Sequence, residues 1–304
     1  MNFKGVIIME GKYKILHPFR WQLVDVLNAL PKIKEQGFNA IQLTPVQECL
    51  DGWEWWKVYQ PLSYKIGNQY GSEEDLKVLC YASETYGIDI FVDVLFHNVA
   101  SLDGTDVHPD VAPELAKHVL DVPPCTNYED RYQTTHLSVG LPMVDYWNTD
   151  VRNMQFDFLK KLRNYGVKGF RIDQAKHFAT VDEGCNYFTV VYTPFKDKGS
   201  FVYGEVLNAP ANVIDMYSKT MYVLTEWIKG SDKNKLVTFV ESHDEYYGIK
   251  NKQYLTKELI LERWNELVNN QEVHSLFFVR PMEDEKGLSN LWASEEVKQI
   301  NFGG

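Results

Sequence analysis

At 304 residues, 44% of them hydrophobic and 14% aromatic, the chain suits one large domain, such as an α/β barrel with or without an inserted subdomain. A formal charge of −11 argues against binding a nucleic-acid backbone and leaves a neutral polymer open as a partner. No run approaches the length that spans a membrane, and the N-terminal apolar stretch is too short for a signal peptide, so a cytoplasmic protein is expected, or a secreted one whose leader has been removed.

Taken in order, Gly5 to Met9 reads as a first buried strand. Trp21 to Gln36 is amphipathic, with Val24, Leu27, Leu30 and Ile33 on helical spacing and Pro31 as a kink or a second cap. Ala40 to Thr44 is a second strand, stopped by Pro45. This βαβ opening makes parallel pairing the natural one. Cys49 to Gly71 is a long loop carrying Trp53, Trp55, Trp56, Tyr59, Tyr64 and Tyr70, and long ordered loops are usually functional. Ser72 caps a helix to Tyr86, with three acids in its first turn and Gly87 at its end. The third strand follows.

Ser101 to about Asn148 contains five prolines and little periodicity beyond a short helix near Ala112 to Leu120. Thr149 to Tyr165 is a helix with Val151, Met154, Phe158 and Leu162 on one side. After the fourth strand, Tyr187 to Phe195 forms a short imperfect helix. Too few residues follow Glu205 for a full fifth helix, so a shortened or missing one is expected. Thr220 to Lys229 reads as a sixth helix, Tyr254 to Asn269 as a seventh, Ser275 to Val279 as the eighth strand and Ser294 to Asn301 as a last short helix. Cys49, Cys80, Cys125 and Cys185 are scattered without metal-like spacing, which favours free thiols over two disulfides.

Four hydrophobic runs end in a carboxylate, a histidine or both. They are Ile88 to Phe96 followed by His97 and Asn98, Gly169 to Asp173, Phe201 to Val206, and Leu236 to Asp244. Polar groups at the carboxyl ends of buried parallel strands are where α/β enzymes place their chemistry. On the second run Arg171 and Asp173 are two apart and face the same way. Alone, such a pair is as often a structural ion pair; four runs together describe one rim lined with acids.

That set resembles the α-amylase family of glycoside hydrolases. The matching motifs, in the family's order, are Phe91-Val-Asp-Val-Leu-Phe-His-Asn98, Gly169-Phe-Arg-Ile-Asp-Gln-Ala-Lys-His177, Gly204-Glu-Val206 and Phe239-Val-Glu-Ser-His-Asp244. The Glu-Ser-His-Asp form and Leu276-Phe-Phe-Val-Arg-Pro281 are most similar to the bacillus-type members. The resemblance implies an α/β fold, a (β/α)8 TIM barrel from residues 1–97 and 149–304, with an irregular insertion, subdomain B, at 98–148. No residues remain for the family's carboxy-terminal β-sandwich. It implies a retaining α-1,4-glucan hydrolase acting on starch, glycogen or maltooligosaccharides, with Asp173 as nucleophile, Glu205 as acid/base and Asp244 as the third carboxylate. Arg171, beside Asp173, is expected to keep it ionised, and a raised pKa is expected for Glu205. Tyr59 stacks on the sugar at the cleavage point, Gln60 lines the same site, and His243 donates to a sugar hydroxyl. Lys176 and His177 begin the loop where leaving-group sugars lie.

The first motif departs from the family, which usually ends it Asn-His. Here the histidine that contacts the cleaved sugar is replaced by Asn98, and the asparagine that ligates calcium by His97. Either a bulge lets His97 reach the sugar, or that contact is lost. A neutral imidazole is a poor calcium ligand, and Met143 stands where many relatives carry an acid, leaving Asp145 as a candidate ligand. No cofactor is required for the chemistry; a structural calcium ion is the open question. A 4-α-glucanotransferase on the same scaffold, or a glucan-binding homologue without catalysis, are the alternatives.

Overall fold

Eight short parallel strands close on one another, and Arg171, Asp173, Glu205, His243 and Asp244 lie at or just beyond their carboxyl ends. The computed structural model describes residues 11–226, 235–248 and 255–303. In chain order come β1 (Lys14–His17), α1 (Leu23–Glu35), β2 (Ala40–Leu43), β3 (Gln47–Cys49), β4 (Pro61–Asn68), β5 (Gly71–Ser72), α2 (Glu73–Tyr86) and β6 (Asp89–Val94). Then follow α3 (Pro113–Ala116), α4 (Arg131–His136), α5 (Thr149–Asn164), β7 (Gly169–Ile172), α6 (Tyr187–Val191), α7 (Thr193–Lys196), β8 (Phe201–Glu205) and α8 (Ala211–Ser218). The rest are β9 (Tyr222–Leu224), β10 (Leu236–Phe239), α9 (His243–Gly248), α10 (Lys257–Asn269), β11 (Val273–Phe278) and α11 (Glu295–Phe302). The barrel runs β1-β11-β10-β9-β8-β7-β6-β2 and closes through β1 with β2. It is a (β/α)8 barrel, with the small antiparallel sheet β3-β4-β5 outside it.

Two expectations move. The strand expected at Gly5 to Met9 lies outside the described residues, and β1 takes the first barrel position with only Ile15 and Leu16 as apolar residues. The helix expected at Thr220 to Lys229 is instead strand β9 over its described part, with residues 227–229 outside the description. Without β9 the edges of β8 and β10 would be left open, and closure pairs both. The shortened fifth helix is α8, eight residues long.

Helix α1 runs unbroken through Pro31 and buries Leu23, Val26, Leu30 and Ile33, while Val24 is exposed. The Leu23 amide donates to the Tyr70 carbonyl at 2.7 Å and its side chain sits where a Cβ on Gly71 would clash, which rotates the buried stripe by one residue. Helix α2 carries the Ser72–Asp75 capping box and ends at Gly87 in the left-handed region, φ 61°. Residues 95–148 add only α3, α4 and isolated bridges such as Asn98 with Met143, and they pack around a small cluster that includes Val99, Val111, Leu115 and Val144.

Register decides which side chains meet. Asp93 on β6 pairs with Arg171 on β7, which pairs with Tyr203 on β8. In parallel strands such neighbours share a face, so these three form one inward layer. Two residues further along, Asp173 and Glu205 fall in the next layer towards the mouth. The backbone approach there leaves no room at Gly204, where an added Cβ would lie 2.6 Å from both Ala175 Cβ and Met221 Cε.

Candidate active site

The centre of the mouth is one guanidinium serving three acids. Arg171, 1% exposed, donates from Nη1 to both Asp93 oxygens at 2.8 Å and to Asp173 Oδ1 at 2.7 Å, and from Nη2 to Glu205 Oε1. Glu205 Oε2 also accepts from the Gln174 amide at 3.1 Å, a backbone donor presented because Gln174 turns through φ 51°. Asp244 sits just above, with its side chain 43% exposed and Oδ2 3.5 Å from His243 Nε2. The motif that carries it is fixed from below: Arg280 of β11's outgoing loop donates to both oxygens of buried Glu241, at 2.9 and 2.7 Å.

Three carboxyls bond one cation and Asp244 feels its charge, so their titration is collective. Burial raises Asp173 well above the ordinary carboxylate range; Arg171 opposes this, while Glu205, Asp93 and Asp244 add to it. Burial likewise raises Glu205 and Asp244, and pushes Asp93 up to about 7. The expectation that Arg171 alone keeps Asp173 ionised is therefore corrected. The cation is divided among three partners, and desolvation outweighs each share.

Aromatic rings wall this cluster. Tyr59 donates to Asp93 Oδ2 at 3.1 Å, its ring lies 5.9 Å from the Arg171 guanidinium, and it stacks on His243 at 5.1 Å and 4°. His243 is held neutral by burial and by Arg171. Beneath the rim, His17 at the end of β1 meets His243 at 5.7 Å, and Tyr203 donates to Gln42 Oε1 at 2.8 Å. The cavity between His17, Gln42, Arg171 and Glu205 is only about 10 Å³, enough for about one water molecule.

The structure brings Tyr59, Arg171, Asp173, Glu205, His243 and Asp244 together. It places the other candidates elsewhere. Gln60 is buried and its Oε1 accepts from the Ser101 amide at 3.0 Å, tying β4 to the stretch after β6. Lys176 donates to the carbonyls of Leu207 and Asn208, and His177 Nδ1 bonds the Thr134 carbonyl at 3.0 Å. His97 packs on Phe178, His177 and Tyr146, away from the Arg171 cluster, so no bulge carries it to the sugar position. Asn98 is buried, and its Nδ2 has no hydrogen-bond partner among the described residues.

These positions also decide the fit of calcium. Both His97 ring nitrogens are buried, facing the His177 backbone and the Gln174 side chain, and burial lowers the ring to about 3. Met143 is fully buried, and Asp145 Oδ1 accepts from the Trp147 amide at 3.1 Å in the turn before α5. Among the described residues no three His, Cys, Asp or Glu side chains converge on a metal-sized point. The donor set at this corner does not fit a hard cation that prefers oxygen. A protein clamp occupies the same junction. Arg131 on α4 donates to both Glu183 oxygens at 2.8 and 3.1 Å, to the Lys176 carbonyl at 2.9 Å and to Tyr217 Oη at 2.8 Å. Arg131→Met is expected to cost about 2 kcal/mol of stability, whereas a chelator leaves the thermal midpoint of the wild type unchanged. Calorimetric melts with and without EDTA check both.

Sequence reasoning missed Asp93, His17 and Arg280. Asp93 had a signal, an acid inside the otherwise apolar run Phe91 to Val94, but its partner Arg171, 78 residues away in sequence, became visible only through register. The four cysteines are free and buried. No helix among the described residues is long and apolar enough to cross a membrane.

No family model matches the chain. An α-amylase of Clostridium acetobutylicum is 30% identical over 94% of this chain and 42% of its own length. An α-amylase of Butyrivibrio fibrisolvens is 27% identical over 88% of this chain and 34% of its own length. The chain thus spans less than half of either relative. Among solved structures, the α-amylase of Geobacillus thermoleovorans complexed with acarbose superposes with a TM-score of 0.75 at 18% identity, covering 95% of this chain and 77% of that one, a likeness of fold. The four motifs stand on their strand ends with the barrel closed around them, and over nearly its whole length the chain is similar to α-amylases.

Proposed function

We propose that this chain is a retaining α-1,4-glucan hydrolase that cleaves starch, glycogen or maltooligosaccharides by double displacement. The observation that carries the reading is the shared guanidinium: Asp173 and Glu205 both bond Arg171, which supports the close pairing of two carboxyls that a retaining mechanism uses. In this reading the coupled pair holds one proton, which Glu205 gives to the glycosidic oxygen as Asp173 attacks the anomeric carbon. Glu205 then takes a proton from the water that hydrolyses the glycosyl–enzyme bond. Asp244 and neutral His243 hold the hydroxyls of the distorted sugar, and Tyr59 packs on its ring. Residues 98–148 form the subdomain that walls one side of the cleft. No cofactor enters these steps.

The test is release of reducing ends from soluble starch, with retention of anomeric configuration followed by NMR on a maltoside. A folded protein that turns over no α-glucan and no activated aryl maltoside overturns the reading. The His97–Asn98 departure favours a second one, glucan binding without cleavage, which the same assays separate from hydrolysis. Product lengths from pure maltotriose distinguish a glucanotransferase, because transfer makes longer chains.

The pH profile follows from the shared cation. Asp173 and Glu205 titrate as a pair and burial raises both, so the acid limb of kcat/KM is expected above the ordinary carboxylate value of about 4. An acid limb at or below pH 4 would contradict this.

A further inference from the structure

We propose that Arg131 is a positioning residue for the acid/base carboxyl: from α4 it holds the turn after β7 whose Gln174 amide bonds Glu205. This rests on the retaining reading of Asp173 and Glu205 above. The acid that Arg131 pairs with is Glu183, not one of those at the mouth, so its effect reaches Glu205 through the backbone at 174–178.

The backbone around Glu205 is held in an unusual shape on both sides. Gln174 sits at φ 51°, a left-handed conformation that costs a non-glycine residue about 1 kcal/mol. Asn208, just past β8, sits at φ 50°, and among the described residues only Arg20 is a third non-glycine residue of this kind. Such conformations persist where the surroundings over-determine them. Here the conformation aims the Gln174 amide at Glu205 Oε2, 3.1 Å away, while the Gln174 carbonyl accepts from the His177 amide at 2.9 Å and closes the turn. Lys176 Nζ donates to the carbonyls of Leu207 at 3.0 Å and Asn208 at 3.3 Å. The turn after β7 and the exit from β8 are thus tied together on either side of Glu205.

Arg131 anchors that turn. Its Nη1 donates to the Lys176 carbonyl at 2.9 Å and to Thr134 Oγ1 at 3.3 Å. Its Nη2 donates to Tyr217 Oη at 2.8 Å and to Glu183 Oε2 at 3.1 Å, and its Nε to Glu183 Oε1 at 2.8 Å. All five N–H groups of the guanidinium are used, a set that a lysine with three donors and no fork cannot reproduce. The Tyr217 hydroxyl lies 2.8 Å from the carbonyls of both Lys176 and Phe178. The next residue along, His177, bonds the Thr134 carbonyl of α4 at 3.0 Å. Releasing the Lys176 carbonyl would let Gln174 relax out of the left-handed region and turn its amide away. Glu205 would keep its bond to Arg171 and lose the one that fixes its other oxygen.

The test compares two substrates that differ in their need for a proton. Maltopentaose departs as a sugar alkoxide and needs the acid, whereas a dinitrophenyl maltoside departs as a stable phenolate and does not. For both, kcat/KM reports the first bond-breaking step. Arg131→Met, assayed where circular dichroism shows it folded, is expected to lower kcat/KM for maltopentaose about tenfold and to leave that for the dinitrophenyl maltoside within about twofold. Arg131→Lys is expected to restore less than half of the loss. Tyr217→Phe, which removes one hydroxyl from the Lys176 carbonyl, is expected to move the ratio in the same direction by about threefold, and it carries the test if Arg131→Met does not fold. Equal losses on the two substrates, or none on either, overturn the positioning role while leaving the hydrolase reading in place. If the wild type turns over neither substrate, the retaining reading itself fails, and the positioning role with it.

Discussion

Asp173→Asn is expected to remove about ten-thousand-fold of the turnover on maltoheptaose while leaving the thermal midpoint at pH 8 no lower than that of the wild type. The first half follows from the loss of the nucleophile. The second follows from the sign of the linkage. Asp173 has a folded-state pKa raised by burial above its unfolded value. The folded state therefore binds the proton more tightly, and stability falls as pH climbs from the ordinary carboxylate pKa towards the raised one. Asparagine keeps the shape, still accepts from Arg171 and cannot ionise, so that penalty disappears. Initial rates and melts on one preparation check both halves. A variant that loses activity and midpoint together would make Asp173 a structural residue instead.

Arg171→Met should do the opposite to stability. Arg171 is 1% exposed and bonds Asp93, Asp173 and Glu205. Removing it leaves three buried carboxyls without their cation, a loss of about 3–5 kcal/mol. The cost depends on pH with a defined sign. At pH 5 the raised carboxyls, Asp93 at about 7 among them, take up protons and need the cation less. At pH 8 they are driven to ionise against one another. Denaturant melts at the two pH values should show a variant much further below wild type at pH 8. An equal deficit at both would mean that the guanidinium contributes packing and not charge.

How much was legible in the sequence varied with how local the information was. The acid-bearing strand ends were visible because a carboxylate or histidine after an apolar run is a local pattern. The three acids, Arg171 and His243 could be named from it, whereas Tyr59 came from the family resemblance of its own loop. Helix α2 was readable to its caps, since Ser72 and Gly87 are chemical stop signs. What failed was non-local. Met221 to Thr225 is equally apolar as helix or strand, and only barrel closure makes it β9. His97 stood at a motif position, yet its fate was decided by Phe178, Tyr146 and His177 from other segments. Gln60 adjoins Tyr59 in sequence, but the turn after Tyr59 sends its side chain to the Ser101 amide. The division of Arg171 among three acids followed from strand register, which a motif does not carry.

One guanidinium among four carboxyls leaves the entrance of the barrel with surplus negative potential once protons are released. An amine-bearing sugar mimic would be drawn there, because its ammonium supplies the counter-charge that Arg171 must otherwise spread across several oxygens. Its hold should tighten with rising alkalinity up to the point where the amine itself deprotonates, whereas a neutral sugar of the same shape would lack that dependence.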